Sequence, residues 1–320
     1  MSNARPTITR REALVRLSST AVAAAAVGTG LVVFHDRRTV SAAAVAVPDW
    51  RVPASPGTTA AAARGADPAA NVRRSLAALG GLERFVRSGE TVLIKPNVGW
   101  DRLPEQAANT DPRVVAELVR LCRAAGARRV VVADISCNDP RRCFARSGIL
   151  ESAAAAGADV LDGRRLGLVA ASLSGLATGL DIVEELVRAD RVINVPVVKH
   201  HSLSKATLGM KNWFGVLGKG RNRLHQDIDR AVAELGASFR PTLTVMDATR
   251  VLVANGPVGG SLSDVRDVGA VLSSTDAVLA DAWGGALLGH RPSSLGFIAE
   301  AERRGLGSAD LALVKELGTA

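Results

Sequence analysis

TVLIKPNVGWDRLPEQAANTDPRVVAELVRLCRAAGARRVVVADIS, residues 91–136, decides the fold. TVLIKPNV is an unbroken apolar run halted by Pro96, the pattern of a strand buried on both faces that leads into a loop. DPRVVAELVRLCRAAGA then carries every mark of a helix: Asp111 at the N-cap, Pro112 at the first helical position, apolar residues at helical spacing and Gly126 at the end. RRVVVADIS is a second continuous apolar strand. Strand, helix and strand, apolar throughout rather than alternating, predict a mainly parallel sheet with helices on both faces, a three-layer α/β fold.

Working outward, the same signature returns in ADRVINVPVVK (189–199), PTLTVMDAT (241–249) and VGAVLSS (268–274). Helical spacing marks NVRRSLAALGGLERFV (71–86), HQDIDRAVAELGAS (225–238) and DAVLADAWGGALLG (276–289). No internal repeat is visible. This predicts a single α/β domain over 69–320, preceded by an Ala/Pro/Gly-rich linker over 47–68.

The 320 residues carry a net charge of +9, of which six arginines and two carboxylates in residues 1–46 account for +4. With no tyrosine, 3% aromatics and no basic stripe interleaved with stacking residues, nothing points to nucleic acid. Residues 1–46 read as a twin-arginine-type export signal. TRREAL (9–14) precedes the apolar run Ser18–Phe34, and small-residue sites follow at Ala44 and Ala46. The expected location is therefore the periplasm, cell envelope or exterior, with the twin-arginine export machinery as a partner. An uncleaved membrane anchor is the alternative, although 17 alanine-rich residues make a short span. Cys122, Cys137 and Cys143 form no C-x-x-C, so no iron–sulfur or thiolate zinc site is expected; a Cys137–Cys143 pairing is left open.

Arginine does the general solvating, since six of the 40 basic residues are lysine. Four of those six lie between 199 and 219, and three of five histidines (His200, His201, His225) share or adjoin that window. Lysine and histidine both titrate within reach of neutrality when their surroundings shift them, so the concentration suits an anion site or proton transfer. Ligands of open α/β sheets bind beyond the carboxyl ends of the strands. There Lys95 and Asn97 follow one strand, Asp134 closes the next, Lys199 to His201 follow a third and Asp247 closes a fourth. Side chains alternate along an extended segment, so Lys199 and His201 face one side and His200 the other. The glycine-rich GVLGKGRNR is not a phosphate loop of the P-loop type, because Trp213 and Gly220 occupy positions that would need Gly and Ser or Thr.

KPN (95–97), NVPVVKHH (194–201), LGMKNWFG (208–215), His225, PTLTVMDAT (241–249), NGPVGG (255–260) and SSTDAVLADA (273–282) together resemble the domain of unknown function 362 family. Its K-x-H pattern falls on Lys199 and His201; Lys95, Asn97, Lys211, Asn212, His225, Asn255, Asp276 and Asp281 fall on its other polar positions. Many relatives add a ferredoxin-type segment with cysteine clusters, which is lacking here, and Val253 stands where relatives often carry Glu. The resemblance implies an architecture and no established reaction. The expected function is an enzyme acting on a small anionic carboxylate or phosphate, with Lys199, His201 and His225 as catalytic groups and Lys95, Asn97, Lys211, Asn212 and Asn255 binding substrate. A metal ion held by His201, His225 and Asp247 is a further expectation. A non-catalytic binding protein for an anionic solute or metal ion is the alternative. Reaction, substrate and oligomeric state are not read from the sequence.

Overall fold

The computed structural model describes residues 44–53, 57–173, 175–176 and 180–319; residues 1–43 of the expected export signal lie outside them. Among the described residues thirteen strands form two sheets. They are β1 (Val45–Ala46), β2 (Ala60–Arg64), β3 (Thr91–Pro96), β4 (Arg129–Ala133), β5 (Asp159–Leu161), β6 (Leu168–Ser172) and β7 (Leu180–Val183). β8 (Arg191–Val195), β9 (Val197–His201), β10 (Lys205–Thr207), β11 (Leu243–Leu252), β12 (Val265–Ser274) and β13 (Val314–Leu317) follow. The main sheet runs β13-β2-β12-β11-β8-β3-β4-β5, with β9 beside β11 and β10 hairpinned onto β9. Along that path only β12 runs against its neighbours; β11, β8, β3, β4 and β5 are parallel. β1, β6 and β7 make a small separate sheet.

The continuous apolar strands bury both faces because alternate residues enter different cores. Val92 and Ile94 belong to one core and Leu93 to the other; Val130 and Val132 likewise part from Val131 and Ala133. The first core is closed by α1 (Pro68–Ala77), α2 (Pro112–Ala124), α3 (Pro140–Arg146) and α4 (Ile149–Ala155), through Val72, Leu76, Leu118, Phe144 and Ile149. The second is closed by α5 (Glu184–Arg188), α6 (Gly209–Asn212), α7 (Ile228–Ser238), α8 (Ala277–Leu287) and α9 (Gly296–Arg303). Helices thus cover both faces in three layers, the architecture the sequence predicts. As that reading requires, Asp111 caps α2 by accepting the Arg113 N–H at 2.9 Å.

The described parts of the segment 47–68 are packed into the domain rather than forming a linker. Ala60 to Ala63 are fully buried in β2, paired antiparallel to β12 and parallel to β13. Trp50 is buried as well and donates its indole N–H to the Ala189 carbonyl at 3.2 Å. Alanine is a poor strand former on its own, so AAAAR carries no local strand signal; pairing on both sides imposes the conformation. The domain therefore extends back to Ala44. Val45 and Ala46, where the signal was expected to end, form the short strand β1 against β6. Among the described residues no helix is long and apolar enough to cross a membrane.

Candidate functional site

β3 and β8 lie side by side, Lys95 opposite Asn194; β3 ends at Pro96, and Pro196 separates β8 from β9. The chain beyond those prolines builds a cavity of about 650 Å³. Lys95, Asn97, Asp134, Lys199, His201, Lys211, Asn212, Lys219, Arg221 and His225 contribute its polar wall. Lys95 is fully buried at the floor, its Nζ 2.9 Å from Asp134 Oδ1 and 2.8 Å from Asn212 Oδ1. Burial lowers its pKa and the Asp134 carboxylate opposes that shift. The other Asp134 oxygen accepts the Val98 N–H at 2.6 Å. The backbone of Gly215 runs so close above this pair that a methyl there would collide with the carboxylate.

An amide relay joins Lys95 to Lys199. Asn212 Oδ1 also accepts Asn97 Nδ2 at 2.9 Å, and Asn97 Oδ1 accepts Lys199 Nζ at 2.9 Å. Asn212 donates onward to Asn194 Oδ1 at 2.8 Å, and Asn194 donates to the Gly209 carbonyl at the start of α6. Lys199 is as deeply buried as Lys95 but meets only neutral acceptors, Asn97 Oδ1 and the Ala108 carbonyl at 2.6 Å. Burial pushes its pKa down to about 7, and repulsion from Lys211 and Lys95 adds to the fall.

The alternation read from the sequence is realised on β9. Lys199 and His201 line the cavity, whereas His200 turns away and accepts the Gly256 N–H on Nδ1 at 3.1 Å. His201 Nδ1 accepts the backbone N–H groups of Leu203 at 3.1 Å and Ser204 at 3.3 Å. Its proton therefore sits on Nε2, and the ring is a neutral donor toward the cavity. Burial, then the nearby Lys211 and Lys199, hold its pKa down at about 3.

Lys211 and Asn212 ride on α6, whose first N–H groups are capped from α8: Asp281 accepts Gly209 N–H at 2.6 Å and Met210 N–H at 3.0 Å. Lys211 is 6% exposed, has no acceptor among the described residues, and holds Nζ 3.9 Å from the Phe214 ring centroid. Burial brings its pKa to about 8. His225 stands edge-on to the same ring at 5.0 Å, its pKa lowered by burial and then by Lys211.

Two expected residues are elsewhere. Asp247 does not join His201 and His225: it is fully buried, and its two oxygens accept the N–H groups of Asp111 at 2.7 Å and Thr249 at 2.9 Å. Desolvation and the neighbouring Asp111 raise its pKa to about 6. Among the described residues no three His, Cys, Asp or Glu side chains gather as a metal site would need. Asn255 adopts a left-handed turn conformation and donates to Asp264, outside the cavity wall. Cys137 and Cys143 are both free thiols, Cys137 lining the cavity and Cys143 buried behind it.

The sequence reading missed the roles of Asp134 and Arg221. Asp134 stands at the end of a strand adjacent to that of Lys95, which was the available signal. Arg221 gave none: its guanidinium reaches back from the 3-10 helix Arg221–Asp227 to the carbonyls of Ile135 and Phe214, both at 3.1 Å.

Sheet order and cavity together define a three-layer α/β protein with a cationic site beyond the carboxyl ends of its parallel strands. The chain belongs to the family described as Domain of unknown function (DUF362), which matches residues 92–286. It is 30% identical to a thylakoid-associated protein of Synechocystis sp. over 245 residues, covering 74% of this chain and 75% of that one. Among solved structures, the lactate racemase apoprotein from Thermoanaerobacterium thermosaccharolyticum is similar at 13% identity with a TM-score of 0.43. The match covers 76% of this chain and 58% of that structure.

Proposed function

We propose that the cavity binds a small organic anion, a carboxylate or phosphate, and catalyses a proton-transfer reaction on it. One observation carries the reading: Lys95, Lys199, Lys211, Lys219 and Arg221 face the same 650 Å³ space with a single carboxylate, Asp134, which Lys95 already engages. Of these, Lys199 and Lys211 are buried and have no ion-pair partner among the described residues; such desolvated cations favour an incoming anion, and a low-dielectric pocket strengthens that attraction. Lys211, the deep cation lacking an acceptor among the described residues, holds the anionic group. Lys199, poised near neutrality, exchanges the proton, and the neutral His201 ring donates a hydrogen bond to developing charge. Asn97 and Asn212 fix the two lysines rather than the substrate. His225 stands edge-on to Phe214 in the same wall. For the amino-terminal segment we retain export by the twin-arginine machinery, supported by the paired arginines Arg10 and Arg11 ahead of an apolar run.

The test is a thermal-shift and titration series with small carboxylates and phosphates on the parent, Lys199→Met and Lys211→Met. Anions that stabilise the parent are expected to lose roughly ten- to a hundredfold in affinity in the variants, about 1.5–3 kcal/mol for a charge-assisted contact. Variants that respond like the parent to every stabilising anion would remove the reading. Binding without any pH-dependent turnover would identify a receptor for the same ligands instead of an enzyme.

A further inference from the structure

Lys95 and Lys199 form a natural comparison. Both side chains are 1% exposed and both border the cavity, yet one faces a carboxylate at 2.9 Å and the other none. Asn97 Oδ1 and the Ala108 carbonyl, at 2.9 and 2.6 Å, are the acceptors Lys199 has. A neutral amine owns two N–H donors and one lone pair. Two acceptors satisfy the donors, and the lone pair is left for the cavity. A permanently charged ammonium would place a third, unanswered N–H there, beside the cations Lys95 and Lys211. The surroundings of Lys199 thus suit an amine, where those of Lys95 suit an ion. Desolvation and neighbouring cations are the two means by which a lysine becomes nucleophilic.

We propose that Lys199 is a covalent site, its amine condensing with the carbonyl carbon of a small anionic oxo compound such as a 2-oxo acid or a phosphorylated aldehyde. This rests on the anion-binding reading and narrows the ligand class. The Nζ lone pair forms the C–N bond, the carbonyl oxygen takes up a proton to give a carbinolamine, and that oxygen departs as water with both amine hydrogens accounted for. The net change is amine plus carbonyl to imine plus water, with no oxidation or reduction. Lys211, without an acceptor of its own among the described residues, meets the carboxylate or phosphate and orients the carbonyl. Once formed, the imine nitrogen is a cationic electron sink when protonated, which lowers the acidity barrier at the adjacent carbon of the substrate.

The experiment is reductive trapping on the full chain. The protein is incubated at neutral pH with glyoxylate, pyruvate, 2-oxoglutarate or glyceraldehyde 3-phosphate in the presence of cyanoborohydride, then weighed intact and mapped by peptide mass. Propionate and glycerol 3-phosphate, which lack the carbonyl, are the controls, with thermal shift recorded for every compound. The expected result is a single adduct, for pyruvate the mass of pyruvic acid less one oxygen, on the peptide containing Lys199 and not on the exposed Lys315. Lys199→Arg, which keeps the cation, is expected to lose the adduct, and site mapping on the parent answers the question even if that variant folds poorly. An adduct on Lys95 or Lys211 instead, or equal labelling of exposed lysines, overturns the proposal. Thermal shifts from pyruvate and propionate alike, with no adduct from any oxo compound, overturn the covalent step and leave anion binding standing. Absence of both shifts and adducts removes both.

Discussion

Lys95 Nζ and Asp134 Oδ1 meet at 2.9 Å with both side chains out of water, an ion pair at the floor of a cavity whose other cations form none among the described residues. Breaking such a pair from one side strands a buried charge, which costs about 3–5 kcal/mol, whereas removing both partners is often close to neutral. Asp134→Asn is therefore expected to lower stability by that amount in urea denaturation, and Lys95→Met with Asp134→Leu to recover most of it. A single variant within about 0.5 kcal/mol of the parent, the range of surface substitutions, would mean that the pair is solvated and the floor open.

His200 and His201 are neighbours with separate tasks. His200→Ala removes the acceptor of the Gly256 N–H and is expected to cost about 1–3 kcal/mol of stability while leaving anion-induced stabilisation intact. His201→Ala removes a cavity donor and is expected to weaken that stabilisation. Thermal shift on both variants, with and without ligand, separates the two effects; an exchange of the outcomes would reverse the facing of β9.

The facing of β9 was readable because it depends on the two-residue strand period, a local feature. So was α2, whose Asp111, Pro112 and Gly126 are local signals as well. What escaped was set by tertiary context. Ala60 to Ala63 say nothing locally and become a strand only between β12 and β13. The apolar run up to Asp247 suggests a strand end like that before Asp134, but β11 continues to Leu252, and the carboxylate is consumed by the backbone N–H groups of Thr249 in the same strand and of Asp111, 136 positions away. Arg221 reaches the cavity from the first position of a 3-10 helix whose sequence, RNRLHQD, carries no apolar periodicity. The lysines were visible for a compositional reason: against 34 arginines, each lysine is a choice of residue type.

Export is tested independently of the fold. Arg10→Lys together with Arg11→Lys is expected to hold the protein in the cytoplasm, measured by fractionation of cells expressing the full chain, since TRREAL is the feature that motivates the route. Unchanged export of the double variant would remove the twin-arginine assignment.

Asp281 couples the site to pH. Its carboxylate is fully buried, caps Gly209 and Met210 at the start of α6, and has its pKa raised from 3.8 to about 7, by desolvation first, with the two capping N–H groups opposing. A carboxyl group whose pKa is higher in the folded state contributes stability that is fully present below the unfolded value and is lost as pH rises through the folded one. The window is therefore pH 3.8 to about 7, and the full shift corresponds to about 4 kcal/mol at 1.36 kcal/mol per unit. Asp247 adds a slope of the same sign up to about 6, while Lys199, lowered from 10.5 to about 7, contributes the opposite slope above that window. The measurement that isolates Asp281 is the difference in urea stability between the parent and Asp281→Asn from pH 4 to 8. The parent is expected to lose stability relative to the variant as pH rises. The variant offers one acceptor to two N–H groups, so α6 shifts and anion affinity through Lys211 falls at every pH. Parallel stability curves across the window would show that Asp281 stays ionised in the fold and that α6 is held by other means.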